Sequence, residues 1–164
     1  MPVRETQTLR VWFYDPREDP QGLVNKVVAR LDGPFCHCEV QFPDTVAFSV
    51  YMGTQVVSKA RAFDPARYTC VRVFCSRSDM LLARQCAESS TTQSFSMMQM
   101  LLALAPGTWP AASDAGGTFC SKLVGKVLQA AHALPANTDV QRVTPSGLHR
   151  ILHERYVKGR VAAI

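Results

Sequence analysis

No apolar run in this 164-residue chain reaches the roughly 18–20 residues that cross a bilayer. The longest candidate, 97–106, is interrupted by Gln99 and stops at Pro106. The first seven residues lack the basic and apolar regions of a signal peptide, so cytoplasmic residence is the expectation. Like charges never cluster. The 18 basic and 13 acidic residues leave a net charge of +5, but Arg10, Lys26, Arg61, Arg72, Arg84, Lys122 and Arg150 are scattered. Only the tail from His149 to Arg160 is locally basic. That pattern reads as a solvated basic surface, and no nucleic-acid partner is expected. Also missing are a GxxxxGK[ST] phosphate loop, a GxGxxG turn after a strand and a GxSxG elbow. No repeat or low-complexity linker divides the chain.

What is present describes one globular domain, with 47% hydrophobic and 19% charged residues. Alternating and aromatic residues over 9–14 predict a first strand. Asp19-Pro20 caps a helix whose apolar positions run from Leu23 to Leu31, ending near Gly33. Strands follow at about 35–42, 45–51, 55–60 and 68–75, separated by turn signals at Pro43-Asp44, Gly53 and Asp64-Pro65. These short spacings predict a largely antiparallel meander. The second half is helical: 78–89 with Ser78 as N-cap, 92–104, 118–134, and a short helix from Thr144-Pro145. The fold class is α+β, one domain over 1–164, with a core over about 8–134 and a C-terminal helical extension over 135–164.

Six cysteines without an export signal read as free thiols. Cys36, Cys38, Cys70, Cys75 and Cys86 sit in apolar surroundings, whereas Cys120 follows Gly116-Gly117-Thr118 where a loop becomes an apolar helix. Helical N–H groups and the positive dipole end favour a thiolate there and can hold an oxyanion. Gly116 and Gly117 would let the backbone pass close to a substrate. On the 35–42 strand, Phe35, His37, Glu39 and Gln41 share one face and Cys36, Cys38, Val40 and Phe42 the other. His37 is the candidate base for Cys120. Glu39 is the candidate that orients it, with Ser49 on the next strand as the competitor. Against these roles stand an ordinary buried helix cysteine and a wet strand face with an exposed carboxylate. Tyr14 and Gly117 are weaker candidates for contact with the substrate or its oxyanion.

Metal is not expected, because alternation sends Cys36 and Cys38 away from His37 and no CxxC or HxxxH pair completes a site. His149 and His153 share a helical face but lack a third ligand and read as surface residues. No cofactor is implied. The methionine-rich segment 97–104 reads as core helix.

Cys36-His37-Cys38-Glu39-Val40 is similar to an "SHVE(L/I)" strand, and Phe119-Cys120-Ser121-Lys122-Leu123-Val124 to a "YCSELV" helix start. Between them, 47–53 and 56–59 are similar to an "aFS…G…V…K" hairpin. Over about 8–134 the chain thus resembles the circularly permuted branch of the NlpC/P60 papain-like superfamily, the YaeF/YiiX-like group with poxvirus and phage members. There the histidine strand precedes the cysteine helix, as it does here. Lys122 replaces the usual Glu, a change expected on the helix surface, and Cys36 replaces Ser. Many members take a third polar residue from the strand after the histidine strand, which keeps both Glu39 and Ser49 open.

The resemblance implies a papain-like fold in which a small antiparallel sheet carrying His37 packs on the helix carrying Cys120. It implies acyl-enzyme chemistry on an amide, peptide or thioester, as in the family's peptidases, amidases, lipid acyltransferases and thioesterases. A viral origin would place the protein in a host cytosol with host protein partners. The alternative is a catalytically silent papain-like scaffold that only binds. The 106–117 loop is expected to border the substrate groove, with Trp109 as a lid.

Overall fold

The computed structural model describes residues 6–17, 23–105 and 117–159. Five strands form one sheet: β1 (Thr6–Tyr14), β2 (His37–Gln41), β3 (Val46–Ser49), β4 (Val57–Ala60) and β5 (Tyr68–Ser76). Their order is β4-β3-β2-β1-β5, every pair antiparallel. The expected meander therefore holds for the hairpins. β5, however, returns to pair with β1 along its whole length, from Thr6↔Ser76 to Tyr14↔Tyr68, instead of extending the sheet beyond β4. Apolar pairs in the middle of that register account for the choice: Leu9 meets Val73 and Val11 meets Val71 on the buried face.

That face is covered by helices. Leu9, Val11, Phe13, Cys38, Val40, Phe48, Val71 and Val73 are all at most 2% exposed. Against them pack α2 (Arg77–Ser89) and α4 (Cys120–Ala130), α4 resting on β2 and β3. α5 (Pro145–His153) packs on α4 and β5 and α1 (Leu23–Asp32) on α5, whereas α3 (Met97–Leu104), expected as a core helix, buries only Gln99 and leaves Met98 and Leu101 exposed. Among the described residues no helix is long and apolar enough to cross a membrane. The segments 18–22 and 106–116 lie outside the described residues, and with them the expected Asp19-Pro20 cap, Gly116 and Trp109.

Several helix ends differ from the sequence expectation. α2 is capped by Ser76, whose hydroxyl accepts from the Asp79 N–H, so its first helical residue is Arg77. Residues 92–96 are not helical. Ser94 bridges Gln55 and Phe95 bridges Thr118, and Ser96 caps α3. α4 stops four residues before Leu134. His132 takes a left-handed φ of 51°, and the N–H groups of His132 and Ala133 close back on the carbonyls of Gln129 and Leu128. This is the paired bonding that ends a helix without glycine when a short-range hydrogen-bond gain offsets the strain.

Residues 135–159 are not an appendage. Thr144 caps α5 with Pro145 in its first turn, as the sequence predicts. Leu148 and Leu152 are fully buried in the same core as Leu123 and Val127. α5 continues as one π-helical turn, Glu154–Lys158. His149 is no surface residue. Its ring packs edge-on against Phe13 at 5.0 Å and against Phe35 at 4.6 Å, and its Nε2 is buried without a hydrogen-bond partner.

Candidate active site

The polar face of the sheet carries the site. Strand alternation puts Tyr14 and Trp12 of β1, His37, Glu39 and Gln41 of β2, and Ser49 of β3 on this side. The β2–β3 register of Val40↔Phe48 sets Ser49 opposite Glu39 and Tyr51 opposite His37. This face is not wet. Glu39 is 1% exposed and Gln41 5%. The chain after β4 folds over them: the Gln41 side-chain amide donates to the carbonyls of Arg61 and Thr45, and Phe63 stacks on Trp12 at 4.6 Å.

A carboxylate buried this deeply needs compensation. Arg61 Nη1 lies 2.7 Å from Glu39 Oε1, and the Tyr51 hydroxyl donates to the same oxygen at 2.8 Å. Arg61 also donates to the hydroxyls of Tyr51 and Tyr68. The pairing works in both directions: burial and the Glu39 charge push the Tyr51 hydroxyl up, so it stays a donor.

His37 is held by this network. Its Nε2 lies 3.0 Å from Ser49 Oγ and 3.5 Å from Glu39 Oε1, and its ring stacks on Tyr51 at 4.8 Å. Ser49 Oγ points its proton at the Cys38 carbonyl, 3.4 Å away. It is thereby left to accept from Nε2–H, which the imidazolium carries. Glu39 and Ser49 thus converge on one ring nitrogen.

Cys120 comes from the opposite side. α4 packs on the apolar face, and its first residue meets the beginning of β2, where His37 and Cys38 both reach it. Phe119, the residue before the helix, makes no side-chain capping hydrogen bond. The Cys120 thiol is held well below the ordinary thiol range. A hydrogen bond from the Cys38 side chain is the largest cause. Burial opposes it, while His37, by hydrogen bond and charge, and the Cys38 backbone N–H add to the lowering. Cys38 is pushed up by burial and by its donation to Cys120. Burial alone would lower His37, but Cys120 and Glu39 overcome it and raise the imidazole to about 9. The arrangement favours a thiolate–imidazolium pair beside a neutralised Glu39–Arg61 pair.

Cys120 and His37 open into one cleft of about 320 Å³ bordered by α1, α3 and residues 50–52 after β3. Tyr14 and Tyr68, 5.1 Å apart, line its floor. Gly117 does not line it. Its φ of 93° turns the backbone beside Ser94, whose carbonyl would lie 2.5 Å from any Cβ. Glycine there permits the bridge to residues 94–96 and not the approach of a substrate.

Lys122 corrects a second expectation. It is fully buried, and its Nζ donates to Gln99 Oε1 at 2.8 Å and to the Gly117 carbonyl at 3.2 Å, tying α3 to the turn before Cys120. Sequence reasoning placed Lys122 and Arg61 among surface charges and passed over Tyr51. Extending the β2–β3 register by hand would have found Tyr51. Nothing local marks Arg61 or Lys122. Among the described residues no group of three or more histidine, cysteine or acidic side chains is placed to hold a metal ion. Comparison with protein-family models, with curated protein sequences and with solved structures gives no match, so the chemistry of this site is read from its own geometry.

Proposed function

We propose that the protein is a cysteine hydrolase or acyltransferase of permuted papain-like type, working through an acyl-enzyme on Cys120 with His37 as general base. One observation carries this reading. The lowered thiol lies in a cleft with an imidazole whose Nε2 is engaged by Ser49 and Glu39.

The Cys120 thiolate attacks the carbonyl carbon of an amide, peptide or thioester. Oxygen takes the negative charge beside the N–H groups of the first turn of α4. Collapse of that intermediate breaks the bond to the leaving amine or thiol, which takes its proton from the His37 imidazolium. Neutral His37 then removes a proton from water, or from another acyl acceptor, as it attacks the thioester, and Cys120 leaves as thiolate. Ser49 and Glu39 hold the ring through both halves, and the carboxylate supports its positive charge.

The test is iodoacetamide alkylation of Cys120 across pH, followed by mass spectrometry, in the wild type and in His37→Ala. The expected result is an apparent thiol pKa well below the free value of about 8.5, moving upward when His37 is removed. A thiol of ordinary pKa, indifferent to His37, overturns the reading and leaves a binding scaffold.

A further inference from the structure

Half of the six cysteines meet at one point of the fold. Cys36 and Cys38 flank His37 at the start of β2, and they approach Cys120 from different directions. Cys36 lines the cleft with Cys120, whereas Cys38 reaches it from the apolar core. The Cys38 contact is direct, since both its backbone N–H and its thiol hydrogen-bond the Cys120 sulfur. Cys70, Cys75 and Cys86 lie elsewhere, on β5 and α2, as free thiols that burial pushes up.

Holding a thiolate does not require a second thiol. Sulfur is a weak donor, and the Cys38 backbone N–H already serves. What the second thiol adds is a reaction that no other side chain in its place could supply. Two sulfurs in hydrogen-bond contact need only a small approach to bond, and the elements that carry them, α4 and β2, pack directly together. Their protonation states are complementary as well. Cys120 is held as the thiolate, the form that reacts with oxidants, while Cys38 stays a thiol. Part of what keeps the proton on Cys38 is the Cys120 charge itself. Oxidation of Cys120 removes that charge, and Cys38 becomes a better nucleophile at the moment one is needed.

We propose that Cys38 is the resolving cysteine of Cys120, so that a hydroperoxide converts the pair into a reversible Cys38–Cys120 disulfide. The Cys120 thiolate attacks the terminal oxygen of the hydroperoxide, which a cleft of about 320 Å³ admits. The O–O bond breaks, the S–O bond of a sulfenic acid forms, and the alcohol or water leaves with a proton from the His37 imidazolium. The Cys38 sulfur then attacks the sulfenic sulfur. The S–S bond forms, the S–O bond breaks, and the departing hydroxide takes the Cys38 proton to leave as water. Two thiols are oxidised, one hydroperoxide is reduced, and an added dithiol reverses the change. Without a resolving thiol the sulfenic acid passes on to sulfinic and sulfonic acids, which thiols do not reduce. The disulfide is therefore an off-state that also protects the nucleophile. It needs the reactive thiol of the acyl-enzyme reading but no acyl transfer.

The test treats the full chain, reduced and then freed of reductant, with an equimolar amount of hydrogen peroxide. Intact mass is read, remaining thiols are blocked with iodoacetamide, and unreduced peptides are mapped by mass spectrometry. The expected product is lighter than the reduced chain by two hydrogens, and two of the six cysteines escape blocking. One crosslinked peptide pair should join Cys38 to Cys120, and dithiothreitol should restore Cys120 alkylation in full. In Cys38→Ser the hydroxyl can still donate but cannot form the bond, so recovery should be lost as Cys120 passes to sulfinic acid. Should that variant be unstable, the wild-type map decides by itself. A Cys36–Cys120 pair, a disulfide between two chains, or wild-type Cys120 as sulfinic acid with Cys38 left free overturns the proposal. Any of these beside a His37-dependent low thiol pKa spares the acyl-enzyme. A Cys120 of ordinary pKa overturns the acyl-enzyme, and the disulfide then stands or falls on the peptide map.

Discussion

The two faces of the sheet are both buried, yet they are built on opposite physics. Under α2 and α4 lie Leu9, Val11, Val40 and Phe48, whose contacts are non-directional and sum over area. On the other face Glu39, Gln41, His37 and Ser49 are fastened by named hydrogen bonds beneath Arg61, Tyr51 and Phe63. Burial alone therefore does not distinguish a core from a site. What distinguishes them is whether a lone substitution leaves a polar group without a partner. The apolar face loses stability when trimmed and keeps its chemistry. The polar face loses both.

The largest break in that contrast is Arg61→Met, which takes the guanidinium from the buried Glu39 carboxylate and leaves it the Tyr51 hydroxyl and the His37 ring. It should cost about 3 kcal/mol in urea unfolding, the low end for a broken buried pair because Arg61 is itself 23% exposed. Pairing it with Glu39→Leu should restore much of the stability without restoring the wild-type Cys120 alkylation profile. Single-variant stability close to wild type would show that the pair is not load-sharing with the sheet. Leu128→Ala, on the apolar side, should lose about 2–4 kcal/mol and leave the alkylation profile unchanged. A shifted profile there would mean that the two faces are coupled.

Lys122→Met probes a buried cation on the apolar side of the molecule. Gln99 Oε1 and the Gly117 carbonyl lose a donor, so about 1–3 kcal/mol should be lost. The alkylation rate should fall as the turn before Cys120 loosens. An unchanged rate would make Lys122 a purely structural clamp.

Acid and base sharpen the comparison further. His37 is raised to about 9, so the stability it contributes is present below its unfolded value near 6.5 and is lost as pH rises through about 9. Activity should fall over the same upper limb, because the proton for the leaving group is gone. His149 carries the opposite sign. Burial among Phe13 and Phe35, followed by His153, lowers it, so the folded state prefers the neutral ring and stability is lost as pH falls below about 6.5. His149→Phe should remove that acid-side loss, an effect of less than about 1 kcal/mol because the ring is only half-buried. An unaltered acid limb in the variant would assign the loss to another group.

Local pattern carried much of this architecture. Alternation placed His37, Glu39 and Gln41 on one side, as strand geometry requires, but it fails before β2 begins, where Phe35 packs with Phe13 in the apolar core and Cys36 lines the cleft beside His37. The Thr144-Pro145 start of α5 was legible because capping is chemistry among neighbours in the chain. Where local signals competed, they misled. Pro135 looked like the end of α4, but the helix closes earlier on a left-handed His132. Ser78 looked like a cap, but Ser76 lies in the extended conformation that a cap requires.

By itself, then, the sequence determined which residues share a face of β2, that α4 is an apolar helix, and that a cysteine lies in its first turn. The tertiary structure alone decided which faces meet. It returned β5 to β1, buried Arg61 against Glu39 and Lys122 against Gln99, and brought Cys120 and Cys38 from the apolar side to His37 at the end of its strand. The reason is physical. Periodicity follows from φ and ψ of adjacent residues. The partner of a buried charge is chosen by packing between segments far apart in the chain, where no local rule operates.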